Sequence, residues 1–190
     1  MHKNIAMKMN TNIKSMLTDS VAGVAGIVLA GGQSSRMGQN KALLDYEGKP
    51  LIEHMMALLR KAGCVEIHIS GEVKGYAGIP DAVRHDGPAR AMVDLLGRFK
   101  GRHERLLFVP VDMPLIEVSA LKEMMSWNGS VFYKNYPLPS CLSTRVTFSN
   151  CNSVRDVLAS ADAQSLDLPP EWEGGMANVN TKNEWEAITS

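Results

Sequence analysis

The sequence predicts an α/β fold of three layers, in which a mostly parallel sheet lies between helices. Short segments that are almost wholly apolar recur along the chain, as is typical of strands buried on both faces. Longer segments between them carry apolar residues at helical spacing. The 190 residues are enough for one domain with a sizeable core. Strands that alternate with helices favour a sheet of mostly parallel strands.

The composition excludes several classes of protein. Twenty basic and twenty acidic residues cancel, so net charge gives no case for binding nucleic acid or a membrane surface. No apolar run approaches the roughly 20 residues that span a bilayer. The three cysteines lack metal-binding spacing, and we expect free thiols in a reducing cytoplasm.

Residues 1–20 contain lysines but no continuous apolar segment, so we do not expect a signal peptide. We interpret them as a mobile N-terminal leader, with a weak amphipathic helix as the alternative. We expect residues 21–190 to form a single domain.

The first strand is predicted over residues 25–30, and a helix follows near residues 50–62. Pro50 suits the first turn of this helix and Gly63 its end. The next strand, over residues 65–69, contains His68. No partner for His68 lies nearby in the sequence, so we interpret it as a half-exposed strand residue rather than a ligand.

The middle of the chain continues the alternation of strands and helices. A short strand is predicted over residues 83–85, and Gly87 and Pro88 then begin a helix. Residues 105–111 form the most apolar strand, which we expect to be central. Residues 118–125 carry the next helical stripe.

After about residue 128 the pattern becomes irregular and richer in strands. Residues 131–133 and 145–148 are predicted strands on either side of the proline-containing segment 136–139. Residues 153–161 form a helix. The spacing of Thr181 and Glu184 matches a capping box and predicts the start of the last helix.

The loop after the first strand has the composition of a phosphate-binding site. Gly31 and Gly32 allow the backbone to turn sharply and approach a ligand, and free N–H groups in such a turn suit phosphate. Arg36 and Lys41 add positive charge. The spacing differs from those of the P-loop and of the dinucleotide-binding loop. A surface turn with two incidental cations is the alternative.

Two segments resemble the signature of MobA-type molybdenum cofactor guanylyltransferases. They are Leu29-Ala-Gly-Gly-x3-Arg36-Met37-Gly38-x2-Lys41-x-Leu43-Leu44 and Gly48-Lys49-Pro50-Leu51-Ile52-Glu53-His54. The resemblance implies a Rossmann-like, GT-A-like nucleotidyltransferase fold. It also implies transfer of GMP from Mg-GTP to molybdopterin with release of pyrophosphate, and Mg²⁺ as cofactor. Leu29 and Ala30 would approach the base, while Arg36 and Lys41 would offset charge on the departing pyrophosphate.

Asp112 is the predicted metal ligand. It directly follows the central strand, where open α/β sheets bind ligands, and Mg²⁺ prefers one or two carboxylates together with phosphate oxygens. The segment from Val109 to Pro114 is similar to the family's strand-Asp-x-Pro motif. An aspartate that only caps the following helix is the alternative.

The resemblance implies further binding residues. Ser70 matches a polar position that reaches the guanine base. Asp86 matches a nucleotide-contacting aspartate, with Asp81 as the alternative, because the Gly-Pro segment after Asp86 departs from the family pattern. Asn178 and Asn180 match a late Asn-x-Asn-Thr segment on the pterin side, although Asn180 and Thr181 could instead only cap the last helix.

Two other functions stay open at this stage. One is a related cytidylyl- or sugar-nucleotidyltransferase, since those families share part of the signature. The other is a non-catalytic nucleotide or cofactor carrier. The implied partners are GTP and molybdopterin, and molybdoenzyme maturation proteins could receive the product.

Overall fold

A computed structural model describes residues 23–31, 40–81, 87–148 and 151–189 of this protein. Its centre is a seven-stranded sheet in the spatial order β5-β4-β1-β6-β8-β7-β9. The strands are β1 (Val24–Leu29), β4 (Glu66–Ser70), β5 (Gly78–Ile79), β6 (Arg105–Pro110), β7 (Val131–Tyr133), β8 (Tyr136–Ser143) and β9 (Gln164–Leu166). Strands β2 (Asp45–Tyr46) and β3 (Lys49–Pro50) form a separate small hairpin. Only β8 runs antiparallel to its neighbours β6 and β7, so the predicted α/β fold with a mostly parallel sheet is confirmed.

Helices cover both faces of this sheet. The helices are α1 (Leu51–Ala62), α2 (Gly87–Arg98), α3 (Val118–Ser126), α4 (Val154–Ser160) and α5 (Lys182–Thr189). The first face packs against α1 and α3, and the apolar side of α5 also lies there. The second face packs against α2 and α4. This arrangement gives the three predicted layers.

Local sequence explains the boundaries of the first helix. Pro50 immediately precedes α1 in an extended conformation. Proline has no backbone N–H, and none is needed for a helix hydrogen bond at this position. Gly63 ends the helix in the left-handed region, with φ of 105°, and its N–H bonds the carbonyl of Arg60. The helix lies beside β1, in which all six residues are buried, as expected for a central strand.

One strand prediction is wrong and another falls on residues outside the description. The strand expected over residues 145–148 is absent; the chain instead pairs with β6 over residues 140–143, within β8. The prolines at 137 and 139 made this segment look like a turn, but they precede the part that pairs with β6, so no bond to β6 is lost. The strand predicted over residues 83–85 lies outside the described residues, as does the leader 1–20.

The carboxyl ends of β1, β4 and β6 meet at one edge of the sheet because these strands are parallel. The loops after all three strands therefore converge there. The hairpin of β2 and β3 connects the loop after β1 to α1. None of the helices in the described residues has the length and apolarity needed to cross a bilayer.

Candidate active site

The floor of the candidate site is formed by backbone at the ends of three strands. The N–H of Ala30 donates to the carbonyl of Ser70 at 2.9 Å, and the N–H of Val111 donates to the carbonyl of Leu29 at 3.1 Å. These bonds continue the sheet pairing for one residue beyond β1 and β6. The start of the glycine loop and the residues before Asp112 therefore have fixed relative positions.

Lys41 begins a one-turn 3-10 helix, Lys41–Leu43, that faces the end of β6. The side chain of Asn40 caps this turn by accepting a bond from the N–H of Ala42 at 3.1 Å. The ammonium Nζ of Lys41 lies 3.4 Å from Oδ2 of Asp112, and the two side chains are only 15% and 22% exposed. The loop cation and the strand-end carboxylate therefore lie side by side at the carboxyl ends of the strands, in the region that we term the cleft.

Asn180 brings the carboxyl-terminal part of the chain into the same cleft. Its Oδ1 accepts a hydrogen bond from Nζ of Lys41 at 2.7 Å. The neighbouring Val179 donates its N–H to the carbonyl of Asp112 at 2.8 Å. The segment before α5 thus pairs with the end of β6 and holds the asparagine amide against the lysine.

A capping box at the start of α5 fixes this segment. One carboxylate oxygen of Glu184 accepts the N–H groups of Asn180 at 2.7 Å and of Thr181 at 2.9 Å. The hydroxyl of Thr181 in turn accepts the N–H of Glu184 at 3.2 Å. These bonds hold the pKa of Glu184 below its ordinary value; the N–H of Asn180 contributes most, and the charge of Lys41 also contributes.

Asp81 and Gly71 shape the other side of the cleft, next to Gly31. A Cβ on Gly31 would lie 2.8 Å from Oδ2 of Asp81, and the buried Ser70 donates to Oδ1 of Asp81 at 3.5 Å. Gly71 has φ of 103°, and a Cβ there would lie 2.6 Å from the backbone nitrogen of Gly31. Only a glycine allows the loop after β4 to lie so close to the glycine loop.

A second contact, which local sequence patterns do not indicate, supports the loop after Asp112. His54, in the first turn of α1, places Nε2 2.8 Å from the carbonyl oxygen of Pro114. The ring of Tyr46 lies 4.5 Å from that of His54 and 5.9 Å from that of Trp185 on α5. This aromatic stack joins the small hairpin, α1 and α5 beneath the cleft. His54 lies in the second of the two segments that resemble the family signature, residues 48–54, but its partner Pro114 is sixty residues away in the sequence.

The structure brings together most of the predicted site residues. Leu29, Ala30, Gly31 and Ser70 lie at the floor, while Lys41, Asp112 and Asn180 form one contact group. Asn178 is exposed, two residues before Asn180. Gly32, Arg36 and Asp86 lie outside the described residues. Of the two alternatives, Asp81 is the aspartate that the structure describes beside the glycine loop.

The carboxylate of Asp112 fits the role of a metal ligand. Among the described residues its only side-chain contact is the long one to Lys41, and it is partly accessible from the cleft. Carboxylate oxygens are preferred ligands of hard divalent cations, which complete their coordination with phosphate oxygens and water. A lysine beside it supplies positive charge for the same phosphates.

Comparison with protein families and with individual relatives agrees with this geometry. Residues 26–137 match the model of the MobA-like NTP transferase domain. The chain is 34% identical over 176 residues to a protein of Xanthomonas euvesicatoria pv. vesicatoria named molybdenum cofactor guanylyltransferase, and the match covers 86% of this chain and 93% of that protein.

Solved structures share the fold. The molybdopterin-guanine dinucleotide biosynthesis protein A of Archaeoglobus fulgidus superposes with a TM-score of 0.66 at 16% identity, covering 87% of this chain and 96% of that one. Rv0371c of Mycobacterium tuberculosis, in a complex with manganese, superposes with a TM-score of 0.58 at 16% identity, covering 88% of this chain and 98% of that one.

Proposed function

Because this chain belongs to the MobA-like NTP transferase family, we propose that its cleft transfers GMP from magnesium-bound GTP to molybdopterin. The chain is a nucleotidyltransferase of molybdenum cofactor biosynthesis, and enzymes of this kind use a divalent metal ion. The proposal adds the substrates, the identity of the ion and the residues. One observation carries it: Lys41, Asp112 and Asn180 meet in a cleft beside the glycine loop.

The reaction exchanges one phosphoanhydride bond for another. A phosphate oxygen of molybdopterin attacks the α-phosphorus of GTP, the bond to the bridging oxygen of the β-phosphate breaks, and pyrophosphate leaves. The attacking phosphate is already ionised at pH 7, so no strong general base is needed. The main obstacle is repulsion between two anions, which positioning and charge neutralisation can offset.

Each side chain has a role in this scheme. Asp112 would hold the Mg²⁺, which when bound neutralises phosphate charge. Lys41 donates to phosphate oxygens and stabilises the charge that develops on the leaving pyrophosphate, and we assign Arg36 the same role. Asn180 orients Lys41, since its amide oxygen accepts one of the ammonium protons. Asn178, on the same segment, is assigned to the pterin.

Nucleotide recognition falls to the loops at the floor. The N–H groups of Gly31 and Gly32 would bind phosphate oxygens, while Leu29, Ala30 and Ser70 would contact the guanine. Both Asp86 and Asp81 are candidates for the nucleotide-contacting aspartate, and the position of Asp81 beside Gly31 supports it. A cytoplasmic location and delivery of the product to molybdoenzyme maturation proteins stay predictions.

Ligand-induced stabilisation tests the choice of base. GTP with Mg²⁺ at a hundred times its Kd should raise Tm by about 5–10 °C, because it binds only the folded state. CTP and ATP at the same concentration should give smaller shifts. Equal shifts from all three nucleotides would contradict guanine selectivity.

Pyrophosphate release tests the reaction itself. With GTP and Mg²⁺, release should require molybdopterin and should fall by about 10²–10³ in Lys41→Ala and Asp112→Ala. Lys182→Ala is the matched control, since the ion pair that its exposed ammonium forms among the described residues is with Glu186 on the same helix, α5. A wild-type rate in either cleft variant would contradict the mechanism, and release that does not depend on molybdopterin would contradict the acceptor.

A further inference from the structure

Two imidazoles and one carboxylate converge at the end of the sheet opposite the cleft. Nε2 of His68 lies 3.1 Å from Oε2 of Glu66, and Nε2 of His103 lies 3.0 Å from the same oxygen. Glu66 and His68 are on β4, whereas His103 is in the connection between α2 and β6. His68, interpreted from the sequence as a strand residue rather than a ligand, therefore has a polar partner two residues away, Glu66.

From this arrangement we propose that Glu66, His68 and His103 bind one Zn²⁺ ion that is separate from the catalytic metal. The three ligand atoms lie within 4.8 Å of one another. Two imidazole nitrogens and one carboxylate form a donor set suited to zinc, with water as the fourth ligand. Among the described residues this is the group whose side chains converge in this way.

Two of the three distances between the ligand atoms are close to those around a tetrahedral ion, and the third is at most 4.8 Å. Bonds of about 2.0–2.1 Å around tetrahedral zinc place neighbouring ligand atoms about 3.3–3.4 Å apart. The two separations between nitrogen and oxygen, 3.0 and 3.1 Å, need to widen by only a few tenths of an ångström. Binding would replace two hydrogen bonds to Glu66 by three bonds to the metal.

The burial of His103 makes the site more than a surface cluster. Its side chain is 1% exposed, and its one polar contact among the described side chains is Nε2 facing Glu66. Phe99 packs against both imidazoles, with ring centroids 4.7 Å from His68 and 5.7 Å from His103. The rings are therefore held in the orientation that points both Nε2 atoms at one place.

The second ring nitrogen of His103 sets an upper limit on the affinity. Nδ1 is buried without a hydrogen-bond partner among the described groups. Coordination through Nε2 moves the ring proton to Nδ1, where no acceptor receives it. Metal-binding histidines usually have such an acceptor, and losing it weakens binding by about 10- to 100-fold.

Arg102 competes with the metal for the carboxylate. Its guanidinium lies 3.6 Å from Oε2 of Glu66 and is 60% exposed, and it also covers the ring of Phe99 at 5.2 Å. In the metal-free protein it offsets the charge of Glu66. An exposed side chain can move aside when the ion enters, but its charge opposes the ion.

This metal would be structural rather than catalytic. Glu66 is four residues before Ser70 on β4, so the site lies about 13 Å along the strand from the floor of the cleft. The ion would join the start of β4 to the connection that enters β6. These two strands flank β1 on either side, so the link spans the centre of the sheet.

Zinc titration of the chelator-treated chain tests the proposal, with excess Mg²⁺ present to occupy Asp112. The wild type should bind one Zn²⁺, raise its Tm, and give the visible absorption of tetrahedral Co²⁺ when cobalt replaces zinc. The thiols of Cys64 and Cys141 are weak competitors for zinc, because burial raises their pKa to about 12 and about 11 and thiolate is the form that binds metal.

Variants distinguish this site from other places where zinc could bind. His68→Gln should weaken binding by more than about 100-fold, since a direct ligand matters more than an outer one. His68 is half-buried, so this variant should fold; Glu66→Gln should behave alike. Arg102→Gln should bind about three- to tenfold more tightly, because a competing charge is gone.

Two controls complete the test. Glu104→Gln removes a nearby carboxylate that pairs with Arg145 and should leave zinc binding unchanged. Asp112→Asn should also retain the zinc, because that residue belongs to the cleft. Equal binding by wild type and His68→Gln, or loss of zinc in Asp112→Asn, would overturn the proposal.

Discussion

Lys41 lies closer to a neutral amide than to a carboxylate. Its Nζ is 2.7 Å from the amide oxygen of Asn180 and 3.4 Å from the carboxylate of Asp112. An amide orients an ammonium group without cancelling its charge, whereas a tight ion pair with a carboxylate would neutralise that charge. In the proposed mechanism this arrangement suits Lys41 to binding phosphate and Asp112 to binding a metal ion.

Asn180→Asp tests this division of roles. The substitution keeps the size of the side chain and a bond to Lys41 but adds a negative charge where phosphate should bind. We expect kcat to fall by about 10²–10³, comparable to the loss of one charge-stabilising donor. Steady-state kinetics measure this effect. Asn183→Asp, at an exposed position on α5, adds the same charge and should change kcat little; equal losses in both variants would argue against a specific role for Asn180.

Gly71 and Gly75 form a matched pair in the loop after β4. Both have positive φ, 103° and 88°, but a Cβ on Gly71 would meet the backbone of Gly31, whereas one on Gly75 would meet nothing. Gly75→Ala should cost about 1–2 kcal/mol, for backbone conformation alone. Gly71→Ala should cost clearly more and should raise the KM for GTP, because the glycine loop must move. Urea unfolding and kinetics measure the two effects; equal costs would contradict the close approach of the loops.

Two helices of this protein begin with a capping box, one beside the cleft and one on the second face of the sheet. Glu184 and Thr181 form the capping box of α5 beside the cleft, and Asp156 and Ser153 form that of α4 on the second face of the sheet. Backbone N–H groups hold the pKa of both carboxyls below their ordinary values. A comparison of variants in the two capping boxes therefore separates the effect of a cap on stability from its effect on the candidate site.

Glu184→Gln and Asp156→Asn should both lower Tm, because each removes a charged acceptor of helix N–H groups. Only Glu184→Gln should also lower kcat, since Glu184 holds the backbone of Asn180. A lowered folded-state pKa means that the stabilisation is present above the unfolded-state pKa and is lost as pH falls through the folded value. The Tm difference from wild type should therefore shrink in acid. An equal loss of kcat in Asp156→Asn would contradict the claim that Glu184 affects catalysis through its contact with Asn180.

Elements with a local signature could be predicted from the sequence, whereas elements defined by their partners could not. Helix α1 carries its own apolar stripe and end signals, and its predicted position agrees with the structure. Strand β8 contains two prolines and becomes a strand because β6 and β7 lie on either side of it. Strand β5 has two residues and is defined by its pairing with β4.

The candidate site shows the same contrast. Lys41 follows β1 and Asp112 follows β6 in the sequence, and the carboxyl ends of parallel strands lie on the same side of a sheet, so topology predicts that these two segments lie close together. The contacts of Asn180 with Lys41, and of His54 with Pro114, join parts of the chain that are 139 and 60 residues apart. Neither the pairing partner nor the distance is encoded in local spacing, because both depend on how distant parts of the chain pack together.

At the scale of the whole molecule, one sheet separates two apolar cores. Met92 on α2 and Leu121 on α3 are fully buried on opposite faces. All three tryptophans belong to the side of α3: Trp172 and Trp185 pack against that core, and Trp127 ends α3. Tryptophan fluorescence therefore reports on one face.

Met92→Ala should lower the unfolding free energy by about 2–5 kcal/mol, the cost of a large-to-small change in a core. If residues 21–190 form a single domain, as the sequence predicts, tryptophan fluorescence should detect this loss although Met92 lies on the other face. Urea unfolding followed by fluorescence and by circular dichroism measures it, with Leu121→Ala as the same-face control. A wild-type fluorescence midpoint in Met92→Ala would mean that the two faces unfold separately.

The contact between Lys41 and Asn180 also bears on how the protein folds while it is being synthesised. The two residues are 139 positions apart, so at 5–20 residues per second the ribosome adds the asparagine on the order of ten seconds after the lysine. A nascent chain can pair β1, β4 and β6 well before then. During that interval the candidate site lacks the partner that Asn180 provides for Lys41, so in the proposed mechanism reactivity would begin only after residue 180 has been synthesised.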